Sequence, residues 1–453
     1  MQAHTLSRRE LLKRATAAGA AVSFPTLVTS SVFGRNAPSN RVNLAAIGTG
    51  SRGTENCRWA FLPQADVRLV AAADCRKSYR EAFTKMANDH YKGNVCTPYR
   101  DFRDVLARKD VDGVIISTAD HWHVPLAVFA ARADKDLYVE KPLGVAMAWA
   151  WKLREEVARH KVVFQYGTMQ RSDQRQFRRA CELVRNGYIG EIERVDVWAP
   201  DMSCDFTQAS VPPYGLTQPS NVPDDLDYEM WIGPAPMKRH TADRATRFGG
   251  FHIYDYALGY IAGWGAHPLD IAQWGLDMDE SGPVHYVGSG RLPPKGSLWD
   301  TLESWDVQCQ YANGVKMHFM GCRAAKPVVK AYHPAWCDHG TTFFGPGGWI
   351  NVNRQALYAS SKALQKAEIK PSETHLYEDQ SHARNFVDCI KSRKPTINPV
   401  ESAIRSDTIS HLSDICIRLG RAIRWDPKLE QILDDAEASK LLNRPMRQPW
   451  KLD

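Results

Sequence analysis

The chain has 453 residues, 43% of them hydrophobic and 24% charged, and a formal net charge of +7. A single small hydrophobic core is not enough for a chain of this length, so two domains are the default expectation for an ordinary globular protein. The basic residues are scattered without a run of five or more, and no two cysteines form a C-x-x-C pair. These patterns argue against a nucleic-acid partner, a zinc ribbon and a thioredoxin-like site.

Residues 1–36 are predicted to be an export signal. Arg8 and Arg9 precede a leucine pair, and the moderately apolar stretch ATAAGAAVSFPTLVTSSV follows. A charged region before a short apolar region is typical of signal peptides, and the paired arginines are similar to a twin-arginine signal. An amphipathic or disordered tail is the competing interpretation. Pro25 and several hydroxyl residues make the stretch too polar for a membrane span, so we expect a periplasmic protein.

A glycine-rich turn follows the first predicted strand, Val42 to Ile47. The spacing is Gly48-x-Gly50-x-x-Gly53, and a helix is predicted from 54 to 61. Gly48 permits a tight turn, Gly50 lets the backbone approach a pyrophosphate, and Gly53 allows close packing of helix on strand. The residues between these glycines complete the predicted phosphate-binding turn: Thr49, Ser51 and Arg52.

An acidic residue ends the second predicted strand, residues 67–73. Asp74 stands 21 residues after Gly53 and is placed to accept hydrogen bonds from the ribose hydroxyls of NAD. Arg76 and Lys77 are close enough to leave NADP open as the cofactor, and a helix N-cap is the competing role for Asp74. The series of strand, glycines, helix, strand and acid predicts dinucleotide binding.

The alternation of strands and helices continues to residue 166. It predicts a doubly wound, Rossmann-type parallel sheet over 37–167, whose ligands lie beyond the carboxyl ends of the strands. The elements expected there are helices at 102–107, 124–133 and 144–160 and strands at 113–117, 137–140 and 162–166.

Glu140, Lys141 and Pro142 close one of these strands on the cofactor side. Pro142 fixes the local backbone and directs Lys141 towards the nicotinamide. Apolar walls and the positive ring would lower the pKa of this lysine, which would then bind or deprotonate a substrate hydroxyl. A surface lysine in a salt bridge is the competing interpretation.

The loop after strand 113–117 is predicted to border the nicotinamide. It contains Thr118, and His121 and His123 flank a tryptophan. The two histidines could bind a metal, but no further ligands with suitable spacing are apparent, so no metal is predicted. A purely structural role for this loop stays open.

A second domain is predicted over 168–453. Residues 191–199 alternate as in a half-solvated antiparallel strand, and 304–319 give two strands joined by a turn at 312–314. The irregular insertion 200–262 is expected to cover the substrate crevice. Its aromatic residues would either contact a sugar ring or pack the insertion's own core: Trp231, Phe248, Tyr254 and Tyr256.

The chain resembles the Gfo/Idh/MocA family of sugar and polyol oxidoreductases, particularly exported members with twin-arginine signals. The motifs are AAIGTGSRG at 45–53, STADHWHVPLA at 117–127 and YVEKPLG at 138–144. They continue with WIGPAP at 231–236, WGAHPLDIAQWGL at 264–276, NFVDCIKSRKP at 385–395 and LGRAIRWDP at 419–427. The resemblance implies a Rossmann domain followed by an α+β domain with an open, largely antiparallel sheet, through which members commonly form homo-oligomers.

The resemblance also implies a catalytic histidine. His267, which we expect just before a helix beginning at 269, matches the family histidine that faces the lysine and the oxidised carbon. The family has an aspartate four positions earlier, where this chain has Gly263. Asp270 is a candidate for the missing acid, with helix capping as its other role.

The predicted reaction is hydride transfer between a sugar, polyol or glycoside hydroxyl and NAD or NADP, with Lys141 taking the proton. A second hypothesis is a redox-neutral glycoside hydrolase that uses bound NAD transiently; the related proteins of that kind lack the lysine, which favours a dehydrogenase. A third is a non-catalytic sugar-binding protein with a vestigial cofactor, which Gly263 keeps open.

Overall fold

The structure is a computed structural model that describes residues 40–172, 175–202, 214–333, 335–379 and 381–453. The predicted export signal, residues 1–36, lies outside these ranges, as does part of the insertion 200–262. Within them, none of the helices combines the length and the apolar character needed to cross a membrane.

In the described ranges, the first sheet has six parallel strands in the order β3-β2-β1-β4-β5-β6. Its strands are β1 (Val42–Ile47), β2 (Val67–Ala73), β3 (Thr97–Tyr99), β4 (Gly113–Ile116), β5 (Asp136–Val139) and β6 (Phe164–Tyr166). The connecting helices are α1 (Ser51–Asn56), α2 (Lys77–Tyr91), α3 (Phe102–Leu106), α4 (His123–Arg132) and α5 (Met147–His160). The predicted doubly wound parallel sheet is confirmed.

Strand β1 is buried on both faces. Leu44 and Ala46 belong to one hydrophobic cluster, whereas Ala45 and Ile47 belong to another on the opposite face. Successive side chains of a strand point to opposite faces, so a sheet covered on both sides needs such a continuous apolar run. This is why the strands at 42–47 and 67–73 could be predicted with correct bounds.

In the described ranges, the second sheet has nine strands in the order β13-β12-β11-β7-β10-β9-β8-β14-β15. Strands β7 and β10 are parallel, and the other neighbours are antiparallel. The strands are β7 (Arg194–Ala199), β8 (His285–Arg291), β9 (Ser304–Gln310), β10 (Lys316–Gly321), β11 (Gly340–Gly345), β12 (Gly348–Val352), β13 (Leu357–Ala359), β14 (Ile423–Asp426) and β15 (Gln431–Ile432). The predicted α+β domain with a largely antiparallel sheet is confirmed.

The helices of this part pack beside and between the two sheets. They are α6 (Arg175–Arg185), α7 (Tyr228–Ile232), α8 (Gly249–His252), α9 (Tyr260–Gly263), α10 (Ala266–Leu276), α11 (Cys322–Tyr332), α12 (Lys362–Lys366), α13 (His382–Ser392), α14 (Val400–Leu419) and α15 (Ala436–Lys440).

Two helices from the second half of the chain join the sheets. Helix α13 covers the first sheet, where Phe386 contacts Phe61 and Tyr138 edge to face. Helix α14 contacts β6 of the first sheet and β8 of the second. Residues Val42–Asp453 therefore form one compact unit, in which the cleft described next lies at the carboxyl ends of the first sheet.

Candidate active site

A cleft of about 480 Å³ opens at the carboxyl ends of β1, β2, β4 and β5. This is the edge where ligands of doubly wound sheets bind. The predicted site residues that line it are Gly48, Gly50, Ser51, Arg52, Asp74, Thr118, His123, Glu140 and Lys141. Those outside its lining are Thr49, Gly53, His121, His267 and Asp270.

The glycine turn has the geometry of a phosphate cradle. Gly48 has φ of +85°, and a Cβ there would lie 2.6 Å from the Ser117 carbonyl oxygen. A Cβ on Gly53 would collide with the Gly48 carbonyl oxygen, so this residue packs helix on strand as predicted. The helix begins at Ser51 rather than at 54, because the turn itself already provides its first residues.

Asp74 lines the cleft and binds two backbone N–H groups. Its carboxylate accepts hydrogen bonds from the backbone N–H groups of Thr49 (2.7 Å) and Arg76 (2.8 Å). The Arg76 guanidinium points elsewhere, to an ion pair with Asp225 at 3.0 Å. The open glycine turn and the acid at the end of β2 fit a dinucleotide.

Glu140 is a buried acid held by two side chains. Arg52 Nε and Asn56 Nδ2 donate to its Oε1 at 3.1 and 2.6 Å. Burial alone would raise the pKa of Glu140, but the charges of Arg52 and Lys141 outweigh it and lower the pKa. Glu140 is therefore an anion beside the lysine.

Lys141 reaches from the first sheet to the second half of the chain. Its Nζ donates a hydrogen bond to the Gly263 carbonyl oxygen at 2.7 Å. Burial is the largest influence and lowers the pKa of Lys141, against the opposing charges of Glu140 and Asp120. A lysine with a lowered pKa is suited to exchange a proton near neutral pH.

Gly263 occupies the position of the family's aspartate, and no side chain fits there. A Cβ on this residue would collide with the ring of Phe251, which lines the cleft. The backbone carbonyl of Gly263 therefore provides the acceptor for Lys141 at this position.

His267 lies inside the first turn of α10, which begins at Ala266, so the prediction that it precedes the helix is wrong. Pro268 suggested a later start, but proline is tolerated in a first turn because the N–H groups there have no helical partner. The imidazole is buried, and Nδ1 has no hydrogen-bond partner among the described residues. Burial, followed by the charges of Arg354 and Lys141, lowers the pKa of His267 well below its usual value.

Comparison with known proteins identifies the family. The family model described as an oxidoreductase NAD-binding Rossmann fold matches residues 42–168, and the one described as an oxidoreductase C-terminal alpha/beta domain matches 184–332 and 347–452. The chain belongs to the Gfo/Idh/MocA family. The Rossmann domain of this oxidoreductase family binds a nicotinamide cofactor.

Curated relatives are similar over a limited region. A Glycosyl hydrolase family 109 protein of Shewanella baltica (strain OS185) is 30% identical over 182 residues, which is 34% of this chain and 38% of that protein. A protein of the same description from Saccharopolyspora erythraea is 26% identical over 213 residues, 42% of this chain and 45% of that protein. The chain thus spans less than half the length of these relatives.

Solved structures share the fold over most of the chain. Myo-inositol 2-dehydrogenase from Lactobacillus plantarum is 16% identical with a TM-score of 0.57, covering 85% of this chain and 99% of that one. Aldose-aldose oxidoreductase from Caulobacter crescentus is 15% identical with a TM-score of 0.58 and the same coverage. At these identities the likeness concerns the Gfo/Idh/MocA fold alone.

Asp270 lies in a structural network rather than in the cleft. Its carboxylate pairs with Arg171 at 2.6 Å, accepts from the Thr168 hydroxyl at 2.9 Å and from Asn398 Nδ2 at 3.1 Å. These bonds join α10 to the residues after β6 and before α14. The structure therefore does not bring Asp270 to Lys141, and its predicted catalytic role is not supported.

Asp120 is the acid that the sequence analysis missed. It lines the cleft, is buried, and its Oδ2 has no hydrogen-bond partner among the described residues. Burial raises the pKa of Asp120 well above its usual value, and the charge of Lys141 opposes this rise. Its place at the carboxyl end of β4 was the available signal, which the neighbouring histidines obscured.

The two histidines of this loop differ in role. His123 lines the cleft, and its Nδ1 lies 2.7 Å from the Pro142 carbonyl oxygen, so it supports the loop that carries Lys141. His121 is buried behind the cleft, with Nε2 3.1 Å from the Trp231 carbonyl oxygen. Direct cofactor contact by His121 is thus not supported.

The aromatic residues of the insertion divide in the same way. Trp231 and Phe248 line the cleft. Tyr256 is buried in the insertion's own cluster, and Tyr254 lies between the guanidinium groups of Arg418 and Arg444. Packing of the insertion's own core is thus seen for Tyr256, whereas contact of Trp231 or Phe248 with a sugar ring stays a prediction.

A further polar group lies beyond Trp264. Cys337, Asp338 and His339 bring possible ligand atoms within 4.8 Å of one another. His339 Nδ1 lies 2.7 Å from Asp338 Oδ1, and its ring lies 5.1 Å from that of Trp264. The sequence analysis did not single out these residues, because their relation to the cleft depends on the second sheet.

Proposed function

We propose that this Gfo/Idh/MocA protein is an NAD(P)-dependent oxidoreductase that transfers a hydride between a sugar, polyol or glycoside hydroxyl and a nicotinamide cofactor. The observation that carries the proposal is the placement of Lys141. Its partly buried amine stands in the cleft between the phosphate cradle and Gly263, near a neutral His267.

In this proposal, residues of the chain accept the proton and orient the substrate. A bound nicotinamide supplies the hydride acceptor. Lys141 takes the proton of the hydroxyl, while Glu140 and Asp120 compensate the charge that forms on it. His267 is the residue that the family resemblance assigns to the hydroxyl, although its imidazole lies outside the residues that line the cleft. Alignment of two bound reactants is worth roughly 7–11 kcal/mol of the barrier.

NAD is the proposed cofactor, with NADP as the alternative. Asp74 places a carboxylate at the end of β2, where it repels a 2′-phosphate. Arg76, the nearby group that would attract this phosphate, is engaged by Asp225. Mass spectrometry of the purified, undialysed protein tests this choice through the nucleotide that is retained.

The test of the function is Lys141→Met, with NADH absorbance measured against a panel of hexoses, pentoses and inositols. General-base loss lowers kcat by about 10²–10⁴, while retention of nucleotide should be unchanged. Lys85→Met is the control because Lys85 is exposed and forms a surface ion pair with Asp89. Undiminished turnover in Lys141→Met would contradict the proposal.

A redox-neutral glycoside hydrolase is the second candidate. The curated relatives described as Glycosyl hydrolase family 109 proteins favour it. Nitrophenyl glycosides distinguish the two functions: release of nitrophenol without net NADH supports the hydrolase, whereas net NADH supports the dehydrogenase.

We further propose twin-arginine export to the periplasm and assembly into a homo-oligomer. Residues 1–36 support the export proposal, and the largely antiparallel sheet supports the assembly proposal. Fractionation of cells that produce the wild type or a variant in which Arg8 and Arg9 are replaced tests the export proposal. Light scattering of the purified protein tests the assembly proposal.

A further inference from the structure

Among the residues that the structure describes, no acid pairs with the partly buried side chain of Arg354. Arg354 follows β12, and its guanidinium lies over the ring of Trp264 with Cζ 4.6 Å from the ring centroid. In the described part of the chain, its side chain forms no ion pair and no hydrogen bond; the only bond at this residue's N–H goes to His339 Nε2 at 3.4 Å.

Two other arginines that are shielded from water are paired with acids. Arg171 binds Asp270 and Asp279, and Arg154 binds Glu401 and Glu430. Withdrawal of a guanidinium from water without a partner is unfavourable, which is why such groups are normally matched by carboxylates. Arg354 departs from this rule at a position beside the active site.

The carboxylate of Asp338 does not form an ion pair with Arg354. The charge of Asp338 acts on Arg354, but Asp338 is exposed and its carboxylate binds His339 instead. Burial, together with the positive charge of Arg52, lowers the pKa of Arg354. The charge of Asp338 therefore acts on the guanidinium without an ion pair between the two groups in the described part of the chain.

Arg354 lies beside the cleft through its contact with Trp264, although it is not itself among the residues that line the cleft. Its charge acts on both Lys141 and His267, the two groups assigned to the reacting hydroxyl. Trp264, which supports the guanidinium, lines the cleft. The phosphate cradle belongs to the turn after β1, whereas Arg354 comes from the second sheet.

We propose that the substrate of this protein is an acidic sugar, with a carboxylate or sulfate group that binds Arg354. This inference rests on the function proposed above and names its substrate class. A guanidinium binds a carboxylate or sulfate through two parallel hydrogen bonds, and stacking on Trp264 fixes the plane in which it does so. Bound in this way, the sugar would present a ring hydroxyl to Lys141.

Calorimetric titration of the full-length protein as purified tests the inference. The acidic probes are D-glucuronate, D-galacturonate and D-glucose 6-sulfate, and the neutral probes are D-glucose and D-galactose. At least one acidic probe should bind about tenfold or more tighter than its neutral counterpart, as expected for a charged hydrogen-bonded pair. The carboxylate and sulfate probes separate the two sources of charge.

Arg354→Gln should abolish the preference for acidic over neutral probes, and Arg354→Lys should retain part of it. Arg68→Gln is the matched control, because Arg68 also lies 4.6 Å from an aromatic centroid, but its ring is that of Tyr91, which does not line the cleft as Trp264 does. The inference is overturned if no acidic probe binds, if neutral probes bind equally well, or if the preference survives in Arg354→Gln.

Titration requires no turnover, so the two proposals fail separately. Acidic sugars that bind through Arg354 without forming NADH would contradict the dehydrogenase and support this inference. NADH formation from neutral sugars at a rate unaffected by Arg354→Gln would support the dehydrogenase and overturn this inference.

Discussion

Asp120 and Lys141 are two titratable groups of the cleft whose charges act on each other, and the proposed proton transfer depends on both. Each lies in the cleft, and burial disfavours the charged form of both. Burial raises the pKa of the acid and lowers the pKa of the amine, while the opposite charges work against these shifts. The two groups therefore titrate together rather than independently.

Asp120→Asn should move the pH profile of the reaction. The negative charge of Asp120 raises the pKa of Lys141, so its removal lowers this pKa and shifts the acidic limb of kcat/KM to lower pH. The measurement is kcat/KM against pH. Asp89→Asn, which breaks the surface pair with Lys85, should leave the limb in place. If the acidic limb of kcat/KM lies at the same pH in Asp120→Asn as in the wild type, the charge of Asp120 does not control the pKa of Lys141.

Asp74→Asn should change the choice of cofactor. The amide keeps an acceptor oxygen for only one of the two backbone N–H groups, since Thr49 donates to Oδ2 and Arg76 to Oδ1, and it loses the charge that repels a 2′-phosphate. We expect the ratio of NADP to NAD affinity to rise roughly tenfold, about 1.4 kcal/mol. Fluorescence titration with both reduced nucleotides measures it, and a constant ratio would contradict the role given to Asp74.

At the scale of elements, the short helix α9 and the adjacent α8 fit together through Gly263 and Phe251. The ring of Phe251 occupies the space where a side chain at 263 would lie. Gly263→Ala should destabilise the protein by about 1–3 kcal/mol through overpacking. Denaturant unfolding measures this loss.

A double variant tests whether the collision with the Phe251 ring causes this loss of stability. In Phe251→Ala/Gly263→Ala the collision is absent, so the double variant should be more stable than the sum of the single changes predicts. Additive effects would mean that the ring and the glycine are not coupled. Either result leaves the hydrogen bond from Lys141 to the backbone carbonyl to be tested by activity.

The sequence predicted elements better than contacts between distant elements. Strands β1 and β2 were predictable because burial on both faces leaves continuous apolar runs. The lysine after β5 was predictable because all carboxyl ends of a parallel sheet share one edge. The ion pair of Asp270 with Arg171 was not, since its partner is 99 residues away and no local pattern reports it.

Arg354 illustrates the same limit. Its relation to Trp264 depends on the packing of β12 and α10 in the second half of the chain, which periodicity alone does not specify. Similarly, no local pattern reports the packing of α13 on the first sheet. Local patterns determine elements, whereas their docking depends on the whole core.

At the scale of the whole molecule, Asp407 connects α14 to the active-site loop. Its carboxylate accepts hydrogen bonds from the Leu143 N–H at 3.0 Å and from the Tyr166 hydroxyl at 3.1 Å. Burial raises the pKa of Asp407 to about 7. Leu143 follows Lys141 by two residues, so this bond positions the loop.

The raised pKa of Asp407 implies a pH dependence of stability. Its folded-state pKa of about 7 exceeds the usual 3.8, so its contribution is complete below pH 3.8 and is lost as pH rises towards 7. Each pKa unit corresponds to about 1.4 kcal/mol. The free energy of unfolding of the wild type, measured relative to Asp407→Asn, should therefore fall over this window; a constant difference would contradict it.

The acceptor that Lys141 uses at position 263 belongs to the peptide backbone. Every amino acid carries this oxygen, so natural variation at that codon leaves the acceptor in place as long as the chain path is kept. A comparison of relatives by their side chains alone would therefore miss this acceptor.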